Sequence, residues 1–240
     1  MVSILYLYYN QPLALKHLED IGYKDYPART IIVDDGSKTP LDCKWAEIYR
    51  IEQDIPWNQP AANNLGFSKI KDDETVLRMD IDHWIELKDL LILPKVKENT
   101  IIKFKRLRHD PDGTTKELQA ANNIYLTKAS TIKTIGGYNE DFCGSYGYDD
   151  KELLYRLSLN RCHVLIHDSI FIHVCAESST KNLSRDTSRN KKLFESIKQN
   201  QSKTITGVQF SFSGDANAEY ASQIRMSVLA ITTAEATSNE

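Results

Sequence analysis

The sequence predicts an α/β fold: a mostly parallel central sheet flanked by helices, with a C-terminal appendage. Three observations predict it. The first 70 residues alternate short apolar runs with helical stretches, the pattern of a parallel sheet with right-handed crossovers. The runs are continuously apolar, as strands covered on both faces are. The chain has 240 residues, 41% hydrophobic and 26% charged, enough apolar material for a core without metal or disulfide staples.

The elements follow in order. Residues 2–8 form the first apolar run. Pro12 suits the first turn of a helix whose apolar side is Leu13, Leu15 and Leu18, and Gly22 ends it. Residues 30–33 read as a second buried strand, broken by the turn Asp34-Asp35-Gly36-Ser37. Residues 48–51 give a short third strand, 61–70 a helix and 75–79 a fourth strand. Residues 101–107 alternate as a strand, and the turn cluster His109-Asp110-Pro111-Asp112-Gly113 predicts a hairpin after it. Residues 123–126 form a short strand; Thr127 is placed to cap a helix that runs to about Ile135 and stops at Gly136-Gly137. Residues 149–160 are an amphipathic helix with acids in its first turn. Residues 163–174 read as two short strands around Asp168-Ser169, and 186–199 as a basic, polar helix. Residues 1–203 are expected to form one domain. The tail, 204–240, holds one base, Arg225, and four acids, Asp215, Glu219, Glu235 and Glu240, and is rich in Ser, Thr and Ala, so it reads as an appendage.

Composition excludes several functions. With 30 bases against 33 acids the net charge is −3, which gives no general attraction to nucleic acid or to anionic membrane. No run of about 18 apolar residues occurs, so no integral membrane segment is expected. The N-terminus lacks a basic stretch and reads as a strand rather than a signal peptide. Cys43, Cys143, Cys162 and Cys175 are scattered without C-x-x-C spacing, which fits a reducing cytoplasm.

Four constellations carry chemistry. Asp80-Ile81-Asp82 follows the fourth strand; two hard carboxylates at a strand end suit Mg²⁺ or Mn²⁺ bridging a diphosphate, although the pattern alone also fits a solvated acidic turn. Asp34-Asp35-Gly36-Ser37 follows the second strand, where an acid can accept hydrogen bonds from a nucleotide, and where a plain turn demands the same residues. Gly144-Ser145-Tyr146-Gly147-Tyr148-Asp149-Asp150 leads into a helix: the glycines permit close approach to a sugar, the aromatics offer flat faces, and a carboxylate there can serve as general base or simply as a cap. His173, with His163 and His167, lies on the strands that follow; a neutral imidazole there can complete a mixed metal shell or merely pack.

The order of these pieces is more specific than any one of them. Tyr9-Asn10, Asp34-Asp35-Gly36-Ser37, Asn64-x-Gly66, Asp80-x-Asp82, Gly136-Gly137-Tyr138-Asn139-Glu140-x-Phe142, then Asp149-Asp150 with Arg156, resembles glycosyltransferases of the GT-A (nucleotide-diphospho-sugar transferase) fold, family 2 in particular. The stretch from Trp57 to Phe67 and the Tyr146-Gly147-Tyr148-Asp149-Asp150 element are similar to the galactosyltransferase and polypeptide N-acetylgalactosaminyltransferase branch. The resemblance covers residues 2–173 and not the tail. It implies an inverting, Mn²⁺- or Mg²⁺-dependent enzyme that moves a sugar from a UDP-sugar donor to a glycan or glycoconjugate acceptor. It implies that Tyr9, Asn10, Asp35, Asn64 and Asp80 bind the nucleotide, with Tyr9 stacked on the uracil and Asp35 holding the base. It further implies Asp82 and His173 on the metal, Asp150 as base with Asp149 beside it, and Tyr146, Gly147 and Tyr148 at the sugar or acceptor. The branch has Trp and Gly where Tyr146 and Tyr148 stand here, and the arginine often found before the family's Asn is Asn63.

The rival readings fit less well. A sugar nucleotidyltransferase needs a basic, Gly-rich phosphate loop after the first strand, and a dinucleotide oxidoreductase needs G-x-G-x-x-G there; this chain has Tyr8-Tyr9-Asn10-Gln11-Pro12. A non-catalytic nucleotide-sugar or glycan-binding module on the same fold is the alternative, and the intact Asp82 and Asp150 argue against it.

Overall fold

The computed structural model describes residues 2–175 and 184–200; the expected tail, 204–240, lies outside the described residues. Among the described residues a nine-stranded sheet forms the backbone of the fold, in the order β3-β2-β1-β4-β8-β6-β9-β5, with β7 paired to β6. The strands are β1 (Val2–Tyr8), β2 (Arg29–Asp35), β3 (Glu47–Ile51), β4 (Thr75–Asp80), β5 (His83–Trp84), β6 (Thr100–His109), β7 (Thr115–Leu118), β8 (Tyr125–Lys128) and β9 (His163–Cys175). The helices are α1 (Pro12–Asp20), α2 (Gln59–Ser68), α3 (Leu87–Leu91), α4 (Ala129–Thr134), α5 (Asp149–Leu159) and α6 (Ser188–Gln199). None of the described helices is long and apolar enough to cross a membrane.

β3, β2, β1 and β4 run parallel, as the alternating first half of the sequence requires. Beyond β4 the sheet is mixed: β8 is antiparallel to both β4 and β6, while β9 is parallel to β6. The short β6–β7 hairpin is the cause, because a tight connection joins only antiparallel neighbours. Side chains of β1 alternate between two cores. Ile4, Tyr6 and Tyr8 join Leu15 and Leu18 of α1 on one face; Leu5 and Leu7 join Ala61, Ala62 and Leu65 of α2 and Leu153 and Leu157 of α5 on the other. Burial on both faces is why these strands read as unbroken apolar runs.

Two local expectations are corrected. Thr127 does not cap α4: it sits in β8, where its Oγ1 donates to the Thr100 carbonyl at 2.8 Å, and Lys128 occupies the cap position without a side-chain bond. The strand pair expected over 163–174 is one strand, β9. Its register against β6 shifts between Phe104 and Lys105, opposite residues 168–170, so Asp168-Ser169 marks a bulge rather than a break. The bulge lets β9 continue to the acidic loop, where the Cys175 N–H donates to the Asp82 carbonyl at 3.1 Å.

Candidate active site

Parallel strands end on one edge, and the crevice beyond that edge is where open α/β sheets bind ligands. β1, β2 and β4 deliver Tyr9, Asp35 and Asp80 to it, in registers that pair Tyr8 with Asp34 and Leu7 with Asp80. A cleft of about 720 Å³ opens there. Among its lining residues are Tyr9, Asn10, Asp35, Asp80, Asp82, Tyr146, Gly147, Asp149 and Asp150, nine of the twelve residues the sequence nominates.

The two acids of the Asp34-Asp35 turn divide the work by strand alternation. Asp34 is fully buried beneath the turn, accepting from the Ser37 and Leu41 N–H groups at 3.0 Å and from the Arg50 guanidinium. Asp35 faces the cleft and accepts from Asn58 Nδ2 at 2.9 Å; burial pushes its carboxyl up to about 7. Gly36, with φ at 72°, lies so close to residues 53 and 54 that a Cβ would stand 2.9 Å from Asp54 Cα. That approach brings Asp54 within reach of the Tyr9 hydroxyl, which donates to it at 3.2 Å. Asn10 staples the β1 loop to the turn: its N–H donates to Ser37 Oγ at 2.9 Å and its Oδ1 accepts from the Lys38 N–H at 3.0 Å.

Asp80 and Asp82 sit in different surroundings. Both oxygens of Asp80 are engaged, one by the fully buried Arg78 (Nη1, 2.5 Å) and the other by the Asn123 amide. Arg78 is itself oriented by Asn63 Oδ1 at 2.9 Å and the Asn123 carbonyl at 2.5 Å. The Asp82 carboxylate is bonded, among the described residues, only to its neighbour, with His83 Nδ1 at 2.7 Å from Oδ1. Ligand atoms of Asp80, Asp82 and His83 lie within 4.8 Å of one another. His83 Nε2 is buried and has no hydrogen-bond partner among the described residues; with Nδ1–H donated to the Asp82 carboxylate, it carries the lone pair that a metal ligand needs. Two carboxylates and one imidazole are a donor set that fits a divalent ion of the Mn²⁺ kind.

The opposite wall is the loop into α5. Gly147 and Tyr148 take positive φ, 79° and 70°, to aim Asp149 and Asp150 at the cleft. Asp149 is buried and accepts from Trp57 Nε1 at 3.4 Å; burial, then the neighbouring Asp150, push it up to about 7. Burial also raises Asp150, outweighing the helix N-terminus that favours its ionised form. The rings of Trp57 and Tyr146 lie 4.4 Å apart at the rim. α6 locks this wall from behind: the fully buried Asn190 points its amide at the carbonyls of Phe142, Ser145 and Gly147, at 2.9, 2.7 and 2.8 Å.

Three nominated residues are not brought to the cleft. Asn64 clamps the loop before Asp149: Nδ2 donates to the Tyr138 carbonyl and to Glu140 Oε1 at 3.0 and 2.7 Å, and Oδ1 accepts from the Tyr138 N–H at 2.7 Å. A Cβ on Gly137 would run into that same Oδ1. The Tyr148 ring turns outward onto Phe194 of α6. His173 stacks with Trp84 and His109, its Nδ1 2.8 Å from His109 Nε2, and it is His83 that joins the acids. The cleft is also lined by Asn58, from the Trp57–Phe67 stretch, and by Asp54 and Asn123, which no short motif marks.

This parallel unit, with an acid pair at the end of β4 facing a second wall of acids, is the GT-A fold of glycosyltransferases. Solved structures with this likeness include GalNAc-T7 with UDP, GalNAc and Mn²⁺, at TM-score 0.58 and 12% identity over 75% of this chain and 44% of that one. Another is S. aureus TarS 1–349, at TM-score 0.55 and 14% identity over 72% and 60%. A third is the mannosyltransferase PcManGT from Pyrobaculum calidifontis with GDP-Man and Mn²⁺, at TM-score 0.51 and 12% identity over 97% and 75%. The chain thus spans less than two thirds of the first two. At such identities the likeness is one of fold. No protein family and no curated protein matches the chain by sequence.

Proposed function

We propose that the chain is an inverting, metal-dependent glycosyltransferase that moves a sugar from a UDP-sugar to a hydroxyl of a glycan or glycoconjugate. One observation carries the reading: Tyr9, Asp35, Asp80 and Asp82, from the ends of β1, β2 and β4, line the same cleft as Asp149 and Asp150 at the start of α5. Its volume, about 720 Å³, lies within the usual range for small-molecule sites. The bound molecules named for two of the similar structures, UDP with Mn²⁺ and GDP-Man with Mn²⁺, support the ligand class.

Tyr9 offers its exposed ring to the uracil, and Asp35 accepts from the base. Asp80, pinned by Arg78 and Asn123, orients the ribose end of the donor. Asp82 and His83 would hold the divalent ion, which when bound stabilises negative charge on the departing diphosphate. Asp150 takes the proton of the acceptor hydroxyl as its oxygen bonds to the anomeric carbon. The bond from that carbon to the phosphate oxygen breaks, and its electron pair leaves with UDP. Attack opposite the leaving group turns an α-linked donor into a β-linked product. A carboxyl raised by burial is a stronger base than a free one, which suits this task.

The test is UDP release from a panel of UDP-sugars and GDP-Man with Mn²⁺, followed by NMR of the glycoside formed. Mn²⁺-dependent release and a β-linked product support the reading. Tight Mn²⁺-dependent UDP binding without any release would instead favour a non-catalytic binding module.

A further inference from the structure

Residues 87–97, Leu-Lys-Asp-Leu-Leu-Ile-Leu-Pro-Lys-Val-Lys, follow the acidic loop and open with α3. Leu90 and Val96 turn inward and join the core that α1 covers. Leu87, Leu91 and Ile92 turn outward: Leu91 is 66% exposed, Ile92 67% and Leu87 40%. Leu87 and Leu91 are four residues apart and share one side of α3; Lys88 and Ile92 are four apart and stand beside them. A single exposed apolar residue is ordinary, but three together on one short segment mark a surface that meets something apolar.

The rim of this surface is basic. Lys88, Lys95 and Lys97 are all exposed, the last two on either side of the inward Val96. The acids that bracket the segment are engaged elsewhere. Glu86 holds Oε1 3.9 Å from His173 Nε2, and Glu98 accepts from Ser130 Oγ of α4, whose Ala129 and Ile132 pack in the core on the other face of the sheet. Asp89 is the one acid within residues 87–97, and it is half-buried. The whole chain carries −3, so the positive charge is local to this rim. Leucine and isoleucine tips that stand out from a surface need a matching pocket on a protein partner, whereas a fluid bilayer yields to them. Lysine stems can lie along the apolar patch while their ammonium groups reach lipid phosphates. An apolar wedge with a basic rim is the chemistry of a surface that lies on an anionic membrane, and it needs no spanning helix.

We propose that residues 87–97 dock the chain on an anionic lipid surface, with Leu87, Leu91 and Ile92 in the headgroup layer and Lys88, Lys95 and Lys97 on its phosphates. Leu87 follows His83 by four residues, at most roughly 13 Å of chain, so docking holds the acidic loop near the membrane. The proposal stands on this surface alone, whatever reaction the cleft performs.

Co-sedimentation of the full chain with phosphatidylcholine vesicles, with and without phosphatidylglycerol, tests it. Binding should require phosphatidylglycerol and weaken as salt is added. Leu91→Ser/Ile92→Ser should lower partitioning at least about tenfold, and Lys95→Gln/Lys97→Gln about fivefold for each lysine removed. All four side chains are exposed, so the melting temperature of both variants should stay that of the parent. Val164→Ser, at an exposed apolar position in register with Ile101 on the other face of the sheet, should bind as the parent does. Failure of the parent chain to sediment with phosphatidylglycerol vesicles overturns the assignment. So does binding that survives Leu91→Ser/Ile92→Ser, or that is equally strong on phosphatidylcholine alone. A dimer in solution that Leu91→Ser/Ile92→Ser dissolves gives the surface to a second copy and also overturns it.

Discussion

Asp80 and Asp82 are two residues apart and have different neighbours, so their removal should have different consequences. Among the described residues the Asp82 carboxylate bonds only His83, and Asp82→Ala should abolish the Mn²⁺-dependent part of UDP affinity while the melting temperature stays within a few degrees. Asp80 is the counter-charge of the fully buried Arg78. Asp80→Ala leaves that guanidinium uncompensated and should cost on the order of 2–4 kcal/mol of stability. Calorimetric UDP titrations and denaturant melts of the two variants separate these outcomes; equal stability loss in both would refute the distinction. At the other wall, Asp150→Asn should lower kcat by roughly 10²–10⁴-fold with donor affinity nearly kept, as loss of a general base does. The wild-type kcat should rise with pH as Asp150 ionises, and that limb should vanish in the variant. A product that keeps the donor's anomeric configuration would rule out direct displacement and Asp150's role with it.

The elements were legible to very different degrees. β1, β2 and β4 are readable because burial on both faces leaves a plain apolar run, and their parallel order puts Tyr9, Asp35 and Asp80 at one edge without further information. β5 has two residues and α3 five, too short for any period to show. Thr127 carries the chemistry of a cap but meets the Thr100 carbonyl first, so tertiary pairing overrides local preference. His83 stands beside Asp82 in the sequence, yet only the turn after β4 reveals that it, rather than His173, joins the acids. α6 reads as a solvated polar helix, and nothing local distinguishes Asn190 as the residue that is buried. Its role has a measurable consequence. Asn190→Ala leaves three carbonyls of the acid loop without their donor and should cost about 1–3 kcal/mol. Kinetically it should lower kcat more than UDP affinity, because the loop aims Asp149 and Asp150 while the base pocket lies on other elements. A variant that loses UDP affinity first would contradict this.

For the whole molecule the cleft is a source of instability. Asp35 and Asp149, both raised by burial to about 7, bind protons in the folded chain that the unfolded chain has already released. Their contribution to stability is complete below the ordinary carboxylate range and disappears as pH rises through 7. Asp149→Asn removes a buried charge and should raise the melting temperature at pH 8 by about 2–8 °C, the equivalent of about 1–2 kcal/mol, with a smaller gain at pH 5. A scan of melting temperature against pH for both proteins decides it; parallel curves would exclude the effect. The same cleft has a further property, set by the order in which the chain builds it. Every group named above on the side proposed to bind the nucleotide, apart from Asn123, arises within the first 83 residues, and the acid loop arises in residues 144–150. The two sides are nonetheless sewn together, by Trp57 to Asp149, by the Gly144 N–H to the Trp57 carbonyl, by the Asn64 clamp on Tyr138 and Glu140, and by the core that α2 and α5 share. A late-made loop thus finds its place only on a surface that the first third of the chain has already built, so Trp57 and Asn64 act as the template on which the acids are set.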